Sequence, residues 1–210
     1  MEFLADLDEY FCETFAGYEL FCGLPQYNMP KMQETKIDEY GRKISYTLPK
    51  TTLRLANQEN KAELLAIVKG KLSTLDFSFS FHPTPLAYVF KHRFSKKGLV
   101  KTLNRIAKQH NCTIEGLFDG VEIDADVIKR IKRAEVYPMK NMLFSIALTA
   151  QLSVQETDDL MQVCEMEWEY SFQRDVVVRY LLEQKIYNQE LIQTALKEYN
   201  VKHLYIKSNV

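Results

Sequence analysis

Lys129, Arg130, Lys132 and Arg133 crowd into one short stretch of this chain, with Val127, Ile128 and Ile131 interleaved among them. In a helix that turns about 100° per residue, the three apolar side chains share one arc and the four cations the opposite one. Cations held outward in this way suit ionic contact with phosphate oxygens and hydrogen bonding to the acceptor edge of guanine. A second concentration of charge lies upstream, where the segment from Phe77 to Ile114 holds Lys91, Arg93, Lys96, Lys97, Lys101, Arg105 and Lys108 and neither Asp nor Glu. A basic field beside such a helix is the electrostatic footprint of a nucleic-acid binder. The same charges also suit the helix itself. Asp124 and Asp126 at its start and bases at its end complement the helix dipole, worth about 0.3–1 kcal/mol each.

Other chemistry finds little support in the residue spacing. Cys12, Cys22, Cys112 and Cys164 lack the close pairing of structural zinc sites, and His82, His92, His110 and His203 are equally dispersed, so neither a metal nor another cofactor is expected. The cysteines read as reduced and mostly buried. No Gly-rich phosphate loop or nucleophile elbow occurs, and seven glycines in 210 residues leave little of the backbone freedom that such loops need. Asp158 and Asp159 are adjacent, which on a helix points them about 100° apart rather than at one proton. His82 and His92 have no Ser, Cys or carboxylate at a spacing that builds a triad. A protein without enzymatic activity is expected.

Composition bounds the architecture that must position these residues. With 46% hydrophobic and 12% aromatic residues the chain can bury a sizeable core. The net charge of -1 conceals an uneven layout, because residues 1–34 carry Glu2, Asp6, Asp8, Glu9, Glu13, Glu19 and Glu34 against Lys31 alone. Those acids can attract the basic segment or a partner protein. No apolar run approaches the roughly 20 residues that span a bilayer, and the first residues lack the pattern of a signal peptide, so a soluble cytoplasmic protein with no membrane contact is expected.

Along the chain, Phe3, Leu4, Leu7, Tyr10, Phe11 and Phe15 recur at helical intervals and predict an amphipathic helix over 2–16, halted near Gly17. Prolines 25, 30 and 49 then punctuate, and Asp38-Glu39-Tyr40-Gly41 reads as a turn ahead of alternating Ile44, Tyr46 and Leu48, which predicts a short β-hairpin. A second helix is expected over 51–73, with Leu53, Ala56, Leu64, Leu65, Val68 and Leu72 inward. Phe77, Phe79 and Phe81 alternate with serines, as an apolar strand or strap does. Such a stripe can stack bases, but its serines and its lack of a cation favour burial. Pro83 and Pro85 end it and make 82–95 a candidate linker.

Beyond that linker every element reads as helix. Leu99, Leu103 and Ile106 form the first stripe, and Thr113 caps a short helix holding Leu117 and Phe118 that Gly120 ends. Asp124 caps the basic helix, Pro138 opens one carrying Met142, Leu143, Ile146, Ala147 and Ala150, and Ser153 with Glu156 forms a capping box. Two more helices are expected near 172–185 and 188–199. Trp168, with Met166, Tyr170 and Phe172, reads as packing between halves of the bundle rather than as a ligand pocket.

A family resemblance rests on several of these residues. Thr113-Ile114-Glu115-Gly116-Leu117-Phe118, then 126–133, Tyr137-Pro138, 143–148 and Leu152-Ser153-Val154 resemble the lambda-repressor-like (XRE-type) helix-turn-helix family. Residues 94–207 are more closely similar to the helix-turn-helix-like C-terminal region found on some bacterial macrodomain proteins, with Glu156-Thr157-Asp158-Asp159-Leu160 and Tyr180-Leu181-Leu182-Glu183 at the matching places. The resemblance implies an XRE-like helical bundle over 94–207; with the periodicity of residues 1–90, a region of helices and one hairpin of no recognised type, a mainly α fold is expected. A bacterial DNA-binding transcriptional regulator is therefore expected, in which the basic residues Lys129, Arg130, Lys132, Arg133, Lys140, Lys101 and Arg105 contact duplex DNA and residues 1–90 mediate dimerisation or partner contact. Gly116-Leu117-Phe118 and Ala125-Asp126 depart from that family's polar pattern. This leaves a second expectation, a non-enzymatic adaptor whose degenerate helix-turn-helix binds protein in a signalling or defence operon.

Overall fold

The computed structural model describes residues 2–28, 33–47, 55–72, 82–83, 98–202 and 204–207, with backbone alone at 33–35, 45–47 and 82–83. It is mainly helical. The first helix, α1 (Glu2–Thr14), buries Leu7, Phe11 and Cys12, the face its spacing predicts, and is followed by the short α2 (Tyr18–Cys22). Strands β1 (Gln33–Ile37) and β2 (Lys43–Thr47) form the expected antiparallel hairpin, with Ile37 opposite Lys43 and Lys36 opposite Ile44. Gly41 takes φ +77° at its tip, a conformation that favours glycine.

The helix expected over 51–73 is instead a 3-10 turn (Leu55–Asn57) and then α3 (Lys61–Lys71), with 51–54 outside the described residues. The Gln58 amide explains the break. It donates to the Asn28 carbonyl at 2.7 Å and accepts from the Asn28 N–H at 3.1 Å, which fixes the chain between the two pieces. The Phe77, Phe79 and Phe81 stripe and most of the linker lie outside the described residues, as do Lys91, Arg93, Lys96, Lys97, His92 and His203. His82–Pro83 forms strand β3, paired antiparallel with β4 (Val136–Tyr137), with Pro83 opposite Val136.

From residue 98 the helices follow the predicted order: α4 (Leu99–Gln109), a 3-10 turn (Glu115–Phe118), α5 (Ala125–Lys132), α6 (Lys140–Thr149), α7 (Val154–Val163), α8 (Gln173–Glu183) and α9 (Gln189–Glu198). Helix α6 is buried on every side from Asn141 to Leu148, and α7, α8 and the second 3-10 turn pack around it. Pro138 stands just ahead of α6, whose N-cap is Met139, so it precedes rather than opens the helix. The capping box at Ser153 and Glu156 is formed in full.

Each of α4 to α9 is followed by a non-glycine residue in the left-handed region: Asn111, Ala134, Gln151, Glu165, Lys185 and Asn200. In each case the next amide N–H bonds back to the helix, as Leu152 does to the Ala147 carbonyl at 2.9 Å and Ile186 to that of Leu181 at 2.8 Å. These are Schellman closures built without glycine.

The core runs on from the N-terminal helices to the C-terminal ones. Tyr199 is wholly buried, packs 4.5 Å from the Phe11 ring, and donates from its hydroxyl to Asp8 Oδ1 at 2.6 Å. Lys69 Nζ sits 2.7 Å from both Asp8 and Glu198 and 4.8 Å above the Tyr199 ring. With Lys61 at 2.5 Å from Glu9, the acids of α1 meet cations of α3. The C-terminal residues return across the loop that precedes α5: the Glu122 N–H donates to the Tyr205 carbonyl at 2.7 Å and the Lys207 N–H to that of Gly120 at 3.0 Å.

Gly120 is pressed against α6, where a Cβ would lie 2.6 Å from the Thr149 Cβ. Gly120→Ala is therefore expected to cost about 1–3 kcal/mol of unfolding free energy in a urea titration, and an unchanged midpoint would show that the loop can move away. The Glu156 carboxyl is pushed up by burial, but bonds from the Ser153 amide and hydroxyl and from His110 outweigh this and hold it below the usual range. Its contribution is then full above the unfolded carboxylate pKa and is lost as pH falls through the lower folded value. Glu156→Gln should lower the Tm at neutral pH and narrow its gap to the parent protein in strong acid; an equal gap at both would sink this account.

Candidate nucleic-acid interface

Helix α5 is anchored by Ile131, fully buried, with Val127 and Ile128 half-buried beside it. The opposite arc faces solvent as its spacing predicts: the side chains of Lys129, Arg130 and Arg133 are 64%, 54% and 70% exposed, and that of Lys132 is 39% exposed. Asp124 occupies the N-cap position in extended conformation, but its side chain makes no capping bond.

Carboxylates accompany all four cations. Lys129 Nζ lies 2.8 Å from Asp126 Oδ1, Lys132 bonds to Glu115 of the preceding 3-10 turn, and Arg130 and Arg133 approach Glu135 at 3.8 and 3.9 Å. The lysine contacts hold the carboxyls of Asp126 and Glu115 below their usual range. Pairs this exposed are screened by salt and exchange readily for other anions. The helix is nevertheless polar end to end. Its start gathers Glu122, Asp124 and Asp126 while its cations occupy the last turn, so residues 98–137 hold seven cations and six carboxylates.

Helix α4 presents a cleaner stripe, with Lys101, Arg105 and Lys108 exposed at helical spacing and no acid on the helix. Arg105 Nη2 lies 2.6 Å from Asp159 on α7 and its Nη1 donates to Gln109 at 3.2 Å. Lys101 and Lys108 pair with no carboxylate among the described residues.

Lys140 does not share this exposure. It is drawn inward at the start of α6, where its Nζ lies 3.0 Å from Asp175 Oδ2 and bonds to Glu169 as well. Asp175 is completely buried and receives Arg174 Nε and Nη2 at 2.8 and 2.6 Å and the Glu169 N–H at 2.9 Å. Arg174 Nη1 donates to Asn141 Oδ1 at 2.7 Å, and its guanidinium lies 5.4 Å from the Phe144 ring centre. Phe144 stacks on Trp168 at 5.0 Å, Trp168 donates to Asp158 at 2.6 Å, and Arg179 lies 5.1 Å from the indole. Trp168 thus joins α6, α7 and α8, the packing role its neighbours suggest. The only sequence signal for this network is a charged pair, Arg174-Asp175, opening the apolar run 176–178.

Among the described residues no group of His, Cys, Asp or Glu is placed to hold a metal ion. Burial pushes the Cys164 thiol up to about 12 and that of Cys12 up to about 11, which leaves neither with thiolate character, whereas Cys22 and Cys112 are exposed rather than buried. No described helix is long and apolar enough to cross a membrane.

Asp175→Asn should cost about 3–5 kcal/mol in chemical unfolding, because it strands Lys140 and Arg174 without their counter-charge. A change within about 0.5 kcal/mol would show instead that those cations relax to solvent. Compared with protein-family models, with characterised proteins and with solved structures, the chain matches none of them.

Proposed function

We propose that this chain is a non-catalytic bacterial DNA-binding protein of the cytoplasm, acting in transcriptional regulation, with the 3-10 turn and α5 as a reduced helix-turn-helix of the lambda-repressor type. The observation that carries this reading is the orientation of α5: Ile131 anchors it from behind while Lys129, Arg130 and Arg133 extend into solvent. Lys101 and Arg105 on α4, with Lys108, extend the cationic surface, and Lys132 joins it when its contact with Glu115 opens. Lys140 acts as a structural cation. The acids at the start of α5 stand where base-reading side chains belong, so the contacts are to phosphate and position the protein more than they specify sequence.

The same acids favour a second reading, in which 98–137 is an adaptor surface that binds a protein of mixed charge. Fluorescence anisotropy with a random-sequence duplex at two salt concentrations separates the two. Under the first reading binding weakens steeply with salt, and replacing Lys129, Arg130 and Arg133 by Ala flattens the log–log slope by about 0.9 per lost phosphate contact while the Tm stays nearly constant. Absence of binding at low salt rejects the DNA reading and leaves the adaptor.

A further inference from the structure

Two surface features of the chain complement each other: a hairpin tip whose Lys36, Arg42 and Lys43 outnumber Asp38 and Glu39, and a groove rimmed by carboxylates. The first is the tip of the β1–β2 hairpin, where Ile37, Tyr40 and Ile44 are 69%, 73% and 51% exposed. This tip is rigidly built. Asp38 Oδ1 accepts from the N–H groups of Tyr40 and Arg42 at 2.9 and 2.8 Å, Asp38 Oδ2 lies 2.9 Å from Arg42 Nε, and the Asp38 N–H closes on the Arg42 carbonyl at 2.9 Å. The Arg42 guanidinium lies 5.1 Å from the Tyr40 ring centre, and Lys43 stands exposed across from Ile37. An isolated two-stranded hairpin is marginal in water, and one with both isoleucines open has apolar surface still to cover. Preformed Tyr, Arg and Ile side chains are the composition of a binding anchor.

The second feature is a groove of about 570 Å³ along α7 and the segment after it, lined by Met161, Met166 and Trp168 on the apolar side and by Asp158, Asp159, Glu165 and Glu167 on the charged side. Its volume lies within the range of about 300–1,000 Å³ that accepts several side chains. Asp158 is taken by Trp168 and Arg179 and Asp159 by Arg105, whereas Glu165 and Glu167 are exposed and meet no cation among the described residues. Thioether and indole surface beside two such carboxylates fits an apolar segment that carries Arg and Lys. The chain's own hairpin does not sit there, since its isoleucines are open to solvent.

We propose that the chain self-associates, with the hairpin tip of one copy seated in the α7 groove of a second. Ile37, Tyr40 and Ile44 meet Met166 and the rim of Trp168, and Arg42 and Lys43 meet Glu165 and Glu167. A two-fold arrangement makes the exchange reciprocal and closes it as a dimer, where a one-way contact runs on into a filament. The proposal does not rest on DNA binding, and its test uses protein alone.

The test is sedimentation velocity on the full chain over a dilution series at low and high salt. The expected result is a monomer–dimer equilibrium that weakens with salt. Ile37→Asp with Ile44→Asp, and separately Glu165→Lys with Glu167→Lys, should each weaken it by about tenfold or more, with circular dichroism unchanged because the altered side chains are exposed. Mixing the two variants should recover a heterodimer, since one intact hairpin and one intact groove remain in the pair. Three results overturn the proposal: a parent protein that stays monomeric throughout, a dimer that survives either double substitution, or a mixture that fails to recover. Survival of the groove variant alone assigns the contact to hairpin–hairpin pairing.

Discussion

The carboxylate of Asp175 is the constraint around which the C-terminal helices are arranged. A charge taken wholly out of water is tolerable only if its lone pairs are filled, and here Arg174, Lys140 and the Glu169 amide fill them from three directions. Satisfying it fixes the start of α6 against the start of α8 and draws the 166–169 segment over both. The stacked Phe144 and Trp168 rings then occupy the space beside Arg174, and Trp168 reaches α7 through Asp158. Buried ion pairs add little net stability compared with a well-packed apolar substitute. What this one contributes is a single way of assembling helices whose faces are otherwise interchangeable hydrocarbon.

A second polar junction plays the same part between the ends of the chain. Asp8 on α1 receives the Tyr199 hydroxyl and the Lys69 ammonium, and burial with that carboxylate beside it drives the Tyr199 phenol far above its ordinary pKa. The tyrosine is therefore a permanent donor. From there the chain passes back over the loop before α5, so the last described residues are held by the same body that places the cationic helix. The exposed charges of α5 and α4 thus stand on a frame fixed at both ends, so that only their side chains, and not the backbone that carries them, are left to be ordered by a contact.

The sequence discloses those parts of the fold that follow from periodicity. The apolar stripes of α1, α4, α8 and α9, the Asp38 to Gly41 turn and the Ser153–Glu156 box could be read because each is a local pattern with a local cause. The outward arc of Lys129, Arg130 and Arg133 was legible for the same reason. The fate of Lys140 was not, because its partner lies 35 residues away and only the folded arrangement of α6 and α8 brings Asp175 to it. Likewise, nothing in the charge pattern reveals that Lys132 bonds back to Glu115, or that Gln58 interrupts an otherwise helical stretch by clamping Asn28. Tertiary hydrogen bonds decided these cases against local propensity.

The Schellman closures after α4 to α9 carry a consequence for how this scaffold stores free energy. Ala134, Gln151, Glu165 and Lys185 occupy backbone angles that cost roughly 1–2 kcal/mol relative to the right-handed region, whereas Asn111 and Asn200 tolerate them. Glycine would relieve that cost locally but would also loosen the unfolded chain and the hinge itself. Successive helices of the bundle therefore turn at corners closed by backbone hydrogen bonds and carrying a Cβ, which restricts each bend more than glycine would.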